Sequence, residues 1–117
     1  MMTADVLEKT LRINMLFDIY RTLLTEKQQT FLQYYFYDDY SLGEIAAEFQ
    51  ISRQAVYEHL KRAEQALEMY EAKLGLLSKQ EKREHFLRKI GQFAALIPEH
   101  KRSELHGLIK ALQEIDD

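Results

Sequence analysis

One proline and four glycines are the strong helix breakers in 117 residues. Between them, apolar residues recur at three- and four-residue steps, the period of an α-helix with one buried stripe, and no stretch alternates every second residue as a strand would. The expected fold class is therefore all-α, a helical bundle. Leu16, Ile19, Tyr20 and Leu23 form a first stripe. Thr25 with Gln28, Ser41 with Glu44 and Ser78 with Glu81 each spell a capping box, in which a hydroxyl accepts from a free amide and the later side chain reaches back. Helices are expected to begin at those three points. The helix after Thr25 carries Phe31, Leu32, Tyr35 and Phe36 inward and ends near Asp38 and Asp39, where acidic groups oppose the helix dipole. The next runs from Leu42 to Phe49. Ser52 caps a long fourth helix that Gly75 closes as a C-cap. A fifth bears Phe86, Ile90, Phe93 and Ile97. Pro98 opens the last, with Leu105, Leu108, Ile109, Leu112 and Ile115 at helical spacing and Asp116 and Asp117 as a frayed end.

A chain of this length can bury one real core but not two large ones. The expected division is a helix-turn-helix domain over 1–77 and a C-terminal helical extension over 78–117, packing on that domain or on a partner chain. Cysteine is absent, which removes disulfides, thiolate metal sites and cysteine nucleophiles and suits a reducing cytoplasm. There is no secretory leader pattern and no run of about 20 apolar residues, so a cytoplasmic protein without membrane insertion is expected. No glycine-rich phosphate loop, His-Glu-x-x-His helix or glycine-flanked serine occurs, and His59, His85, His100 and His106 form no metal-ligand spacing. A non-enzymatic protein without cofactor or metal is the expectation.

The segment SLGEIAAEFQISRQAVYEHL, Ser41 to Leu60, has the spacing of a helix-turn-helix. Ala46 lets two helices approach closely, Ile45 and Phe49 supply the core side of the first, Ile51 plugs the turn, and Val56 and Leu60 anchor the second. At about 100° per residue, the outward face of the second helix contains Gln54, Glu58 and Lys61, flanked by Ala55, Tyr57 and Arg62. Ser52, Arg53, Gln54, Ala55, Tyr57, Glu58, Lys61 and Arg62 are the candidate nucleic-acid contacts. Gln54 suits adenine, Arg53 and Arg62 suit phosphate or guanine, and Lys61 suits phosphate. Glu58 repels phosphate unless it accepts from a cytosine amino group. Gln50 occupies a turn position that favours glycine. His59 falls at the edge of the buried stripe, as a partly buried, hydrogen-bonded side chain. The net charge is −3, with acids concentrated early (Asp5, Glu8, Asp18, Glu26, Asp38, Asp39, Glu44, Glu48) and most bases late, so any nucleic-acid face draws on the later residues.

Val56, Leu60, Ala63, Leu67, Tyr70 and Leu74 alternate four- and three-residue steps, a heptad seam. It can join two chains into a homodimer that presents paired recognition helices, or it can pack against the Phe86 to Ile97 helix. Tyr34, Tyr35, Tyr37 and Tyr40 form an aromatic cluster better suited to core packing than to stacking on bases. A basic stretch with Lys82, Arg83, Arg88 and Lys89, broken by Glu81 and Glu84, is a second surface for phosphate or simply a solvated helix face.

The stretch from LTEKQQTFLQYYFYDDY to HLKRAEQALE resembles the helical promoter-reading region of bacterial sigma factors. With the upstream NMLFDIY and the segments YYFYDDYSLGEIA and SRQAVYEHLKR, the chain looks like the YlxM family of small proteins, over essentially its whole length up to Leu74, with a more variable C-terminal part. That resemblance implies a helix-turn-helix similar to sigma factor region 4, a DNA-binding regulatory role, and a link to the signal recognition particle pathway, because family members are encoded beside that particle's genes. It puts Arg53, Gln54, Ala55, Tyr57 and Glu58 on the groove-facing surface. Ala55 and Tyr57 stand where sigma factors often carry arginine, which leaves room for the alternative: an accessory protein that binds the particle's protein or RNA and uses the helix-turn-helix as a scaffold.

Overall fold

A computed structural model describes residues 3–115. The expected frayed end at Asp116 and Asp117 lies outside the described residues. Among the described residues six α-helices run in order: α1 (Ala4–Tyr20), α2 (Glu26–Leu32), α3 (Leu42–Phe49), α4 (Arg53–Leu74), α5 (Leu76–Gln92) and α6 (Glu99–Glu114). No strand occurs among the described residues. The chain divides into two compact units, 1–77 and 78–117.

Local chemistry sets most of the boundaries in the first unit. Thr25 and Ser41 each accept from the amide three residues on, while Gln28 and Glu44 return to the cap amides, completing both boxes. Ser52 Oγ accepts from the Ala55 amide and starts α4. Gly75 ends α4 in the left-handed region, with φ 63° and its N–H donating to the Glu71 carbonyl. The end of α2 is less regular than its spacing suggests: Gln33–Tyr37 forms a π turn, and Asp39 then takes φ 57°. Widening the helix by one residue per turn rotates the aromatic run. Tyr35 consequently faces solvent, whereas Tyr34 and Phe36 pack on the core.

α4 is the central element of this unit. Val56, Leu60, Ala63 and Leu67 are buried along one side against α1, α2 and α3. Burying each of the three larger residues contributes about 1.5–3 kcal/mol. Ile13, Leu16, Phe17 and Tyr20 of α1, Phe31 and Leu32 of α2, and Ile45 and Ala46 of α3 complete the core. Leu23, expected on the inner stripe, lies in a 3-10 turn (Arg21–Leu23) and is 49% exposed. α1 and α4 are also tied at their surface, where Arg12 donates two hydrogen bonds to the Glu68 carboxylate at 2.7 and 2.8 Å. That guanidinium holds Glu68 below the usual carboxylate range.

This packing corrects the expectation of an intermolecular seam. Val56, Leu60, Ala63 and Leu67 are spent inside their own chain, so a partner helix could reach them only by opening the core. Tyr70 is half-buried and donates its hydroxyl to the Leu23 carbonyl at 3.0 Å; Leu74 is exposed. Within the first unit, α1, α2 and α3 cover this stripe.

The start of α5 differs from expectation as well. Ser78 lies inside the helix, which begins at Leu76 directly after Gly75. Its first amides are satisfied from a distance. The Leu76 N–H donates to the Tyr20 hydroxyl at 3.1 Å, and the Leu77 N–H donates to Glu71 Oε1 at 3.0 Å. Tyr20 in turn donates to the same Glu71 oxygen at 2.7 Å. Burial, followed by the bond to Glu71, raises the Tyr20 pKa above 10.0.

Within the second unit α5 and α6 are antiparallel. Gln113 donates to Glu84 at 3.4 Å, Ile109 lies beside Gly91, and Arg102 donates to the carbonyls of Ala94, Ala95 and Ile97. Leu87 of α5 and Ala94 of the 3-10 turn that follows it (Phe93–Leu96) are the buried residues of this unit's first arm. Phe86, Ile90 and Phe93, the apolar residues by which spacing marked this helix, are exposed.

Candidate nucleic-acid interface

Two helices and a three-residue turn build the site. α3 ends at Gln50, whose φ of 54° and ψ of 46° reverse the chain, and the Gln50 N–H donates to the Ala46 carbonyl. Ile51 also bonds back to the Ala46 carbonyl, at 3.1 Å, before Ser52 caps α4. With Ile45, Ala46, Val56 and Leu60 buried and Phe49 and Ile51 packed on them, α4 is fixed against α3 with its opposite face in solvent. Ser52, Arg53, Gln54, Tyr57, Glu58, Lys61 and Arg62 are exposed, and Ala55 is half-buried.

The side chains on that face already interact. Arg53 lies back over Gly43, and a methyl group added there would sit 3.0 Å from Arg53 Nη2. Gln54 donates to Glu58 at 3.4 Å. The Lys61 ammonium sits 5.7 Å from the centre of the Tyr57 ring. Arg62 approaches His59 Nδ1 at 3.5 Å. Among the described residues, Arg53, Lys61 and Arg62 make no ion pair, whereas Lys9, Arg12, Lys101 and Lys110 do. Exposed cations without carboxylate partners remain available to an incoming phosphate.

His59 sits beneath this face. Its ring stacks on Phe31 at 5.0 Å and 15°. Burial, then the charges of Lys27 and Arg62, lower its pKa below 6.5, so the fold favours the neutral ring. Among the described residues no group of three or more His, Cys, Asp or Glu side chains could hold a metal ion, and no helix is long and apolar enough to cross a membrane.

Two participants were not singled out by sequence spacing. Gly43 was read only as part of α3, yet it provides the space in which Arg53 lies. Its signal was a glycine inside a short helix, a position that calls for a packing reason. Tyr20 was assigned to the core stripe; nothing local indicated that its hydroxyl caps α5.

A family described as "UPF0122: Putative helix-turn-helix protein, YlxM / p13 like" matches residues 7–110. The chain belongs to this family. A UPF0122 protein of Halalkalibacterium halodurans is 49% identical over 111 residues, covering 95% of this chain and 100% of that protein. UPF0122 protein YlxM of Bacillus subtilis (strain 168) is 48% identical over 110 residues, covering 94% and 98% respectively. The UPF0122 match continues well past Leu74 into α6, so the family pattern includes the second unit as well as the helix-turn-helix.

Proposed function

We propose that the helix-turn-helix binds DNA in a regulatory role, with the N-terminal half of α4 in the major groove. The observation that carries this reading is the set of exposed, unpaired cations Arg53, Lys61 and Arg62 on a helix whose other face is locked into the core. In this reading Arg53, swung away from Gly43, and Gln54 would reach base edges near the helix start, while Lys61 and Arg62 would reach phosphates. The positive end of the α4 dipole adds attraction for a phosphate there. To read adenine, Gln54 would exchange its long bond to Glu58 for two bonds to the base.

One observation favours a second reading, an accessory role on the protein or RNA of the signal recognition particle. Residues 1–77 carry twelve carboxylates against eight Lys and Arg, and Glu58 stands among the cations of the candidate face. Such a surface gives weak non-specific attraction for duplex DNA.

Selection of bound fragments from total genomic DNA and total cellular RNA separates the two. Sequence-selective DNA enrichment that disappears in the Arg53→Ala, Gln54→Ala double variant supports the first reading. Enrichment of the particle RNA, with no preference among DNA fragments, rejects it and supports the second.

A further inference from the structure

The second unit leaves apolar surface where a 40-residue segment can least spare it. Segments this small rarely maintain a core unaided, and among its described residues only Leu87 and Ala94 are buried. Seven large side chains instead face solvent; six of them form two stripes, Phe86, Ile90 and Phe93 along α5 and the 3-10 turn that follows it, and Leu108, Leu112 and Ile115 along α6 and its C-cap, while Leu96 points elsewhere. Phe86 and Phe93 are 60% and 61% exposed, and Ile115 is 73% exposed.

These two stripes share one side of the hairpin. On α5 and the 3-10 turn after it, the line facing α6 passes through Glu84, Leu87, Gly91 and Ala94; on α6 the facing line passes through Arg102, Ile109 and Gln113. At 100° per residue, both exposed stripes lie roughly 100° from their facing line, in the same rotational sense along each helix. Because the helices run antiparallel, equal rotations in that sense point to the same side. The face is therefore continuous across both helices. Counting about 100 Å² for each of the six side chains gives about 600 Å², most of the roughly 800 Å² that each partner contributes to a standard stable interface.

We propose that a second copy of this chain covers this face, two α5–α6 hairpins pairing about a two-fold axis as a four-helix arrangement. A face of one hairpin supplies half the core of such a bundle, and an isologous contact doubles it without requiring a different partner. The inference stands independently of what the helix-turn-helix binds.

Sedimentation equilibrium of the full chain tests it. The expected mass is about twice the 13.9 kDa of one chain. Phe93→Glu and Leu112→Glu should each return single-chain mass. Leu7→Glu and Leu11→Glu, on an exposed apolar stripe of α1, should leave the dimer intact. Hydrogen exchange on the unmodified chain gives a readout free of folding defects: protection over 86–93 and 108–115 should fall on dilution. Single-chain mass for the unmodified protein, a dimer that resists both hairpin variants, or a dimer lost through the α1 variants would each overturn the proposal.

Discussion

Replacing Gln50 with glycine should stabilise the helix-turn-helix. Gln50 holds φ 54° and ψ 46° at the turn, and its side chain is exposed. A left-handed conformation costs a residue with a Cβ about 1–2 kcal/mol. Glycine removes that strain but loses about 0.5–1 kcal/mol more chain entropy on folding. The difference is a gain of about 0.5–1 kcal/mol, or about 2–4 °C in Tm for a chain of this size. Because the backbone supplies the N–H to the Ala46 carbonyl, the substitution leaves that bond in place. Gln50→Ala keeps the Cβ and should show no comparable gain. Urea denaturation of the three proteins, followed by circular dichroism, measures the differences. Equal stability of the glycine and alanine variants, or a loss with glycine, would refute the argument that strain at this turn is relieved by removing the Cβ.

Tyr20→Phe removes the hydroxyl that joins Glu71 to the Leu76 amide and should cost about 2 kcal/mol in urea denaturation, the range for a bond to a charged group. A loss below about 0.5 kcal/mol would show that the α5 start is held otherwise. Gly43→Ala should displace the Arg53 side chain from its place over α3; since the obstructing atoms are the mobile end of Arg53 and alanine suits a helix better than glycine by about 0.5–1 kcal/mol, Tm should hold or rise while nucleic-acid affinity falls, as thermal melts and fluorescence anisotropy would record. The Tyr37 hydroxyl, which donates to Asp18 at 3.0 Å, is pushed up to about 12 by burial and then by Asp18. The fold therefore favours neutral Tyr37: its stabilisation is complete below pH 10.0 and is lost as pH rises from there to about 12. Asp18→Asn should move this late phenolate step toward lower pH in absorbance titrations, identified by difference from Tyr37→Phe. An unmoved step would exclude Asp18 as a cause.

Legibility followed the range of the interactions involved. The boxes at Thr25 and Ser41, the Ser52 cap and the Gly75 terminus depend on groups within four residues, and local spacing located them correctly. Ser78 misled because α5 is capped by Tyr20 and Glu71, which come together only once α1 and α4 have packed. The stripe from Val56 to Leu67 was legible as buried, but a three-and-four period is the same whether the covering helices belong to one chain or two. Here α1, α2 and α3 supply the cover, so Leu67→Glu should unfold the first unit instead of yielding a folded monomer. Along α5 and the 3-10 turn after it, Phe86, Ile90 and Phe93 compete with Leu87 and Ala94 as the inner stripe. Both sets fit a helix, and contact with α6 selects the second. The candidate interface was traced by the arc opposite Val56 and Leu60; the lean of Arg53 over Gly43 depends on a rotamer that spacing cannot specify.

The most direct test of the functional reading is to map backbone amide shifts while titrating the chain with a DNA fragment recovered by genomic selection. The account predicts saturable changes concentrated from Ser52 to Arg62, with a salt dependence that weakens by about one unit of slope when Lys61 becomes alanine. Changes confined to α5 and α6, with Ser52 to Arg62 unmoved at saturation, would contradict it.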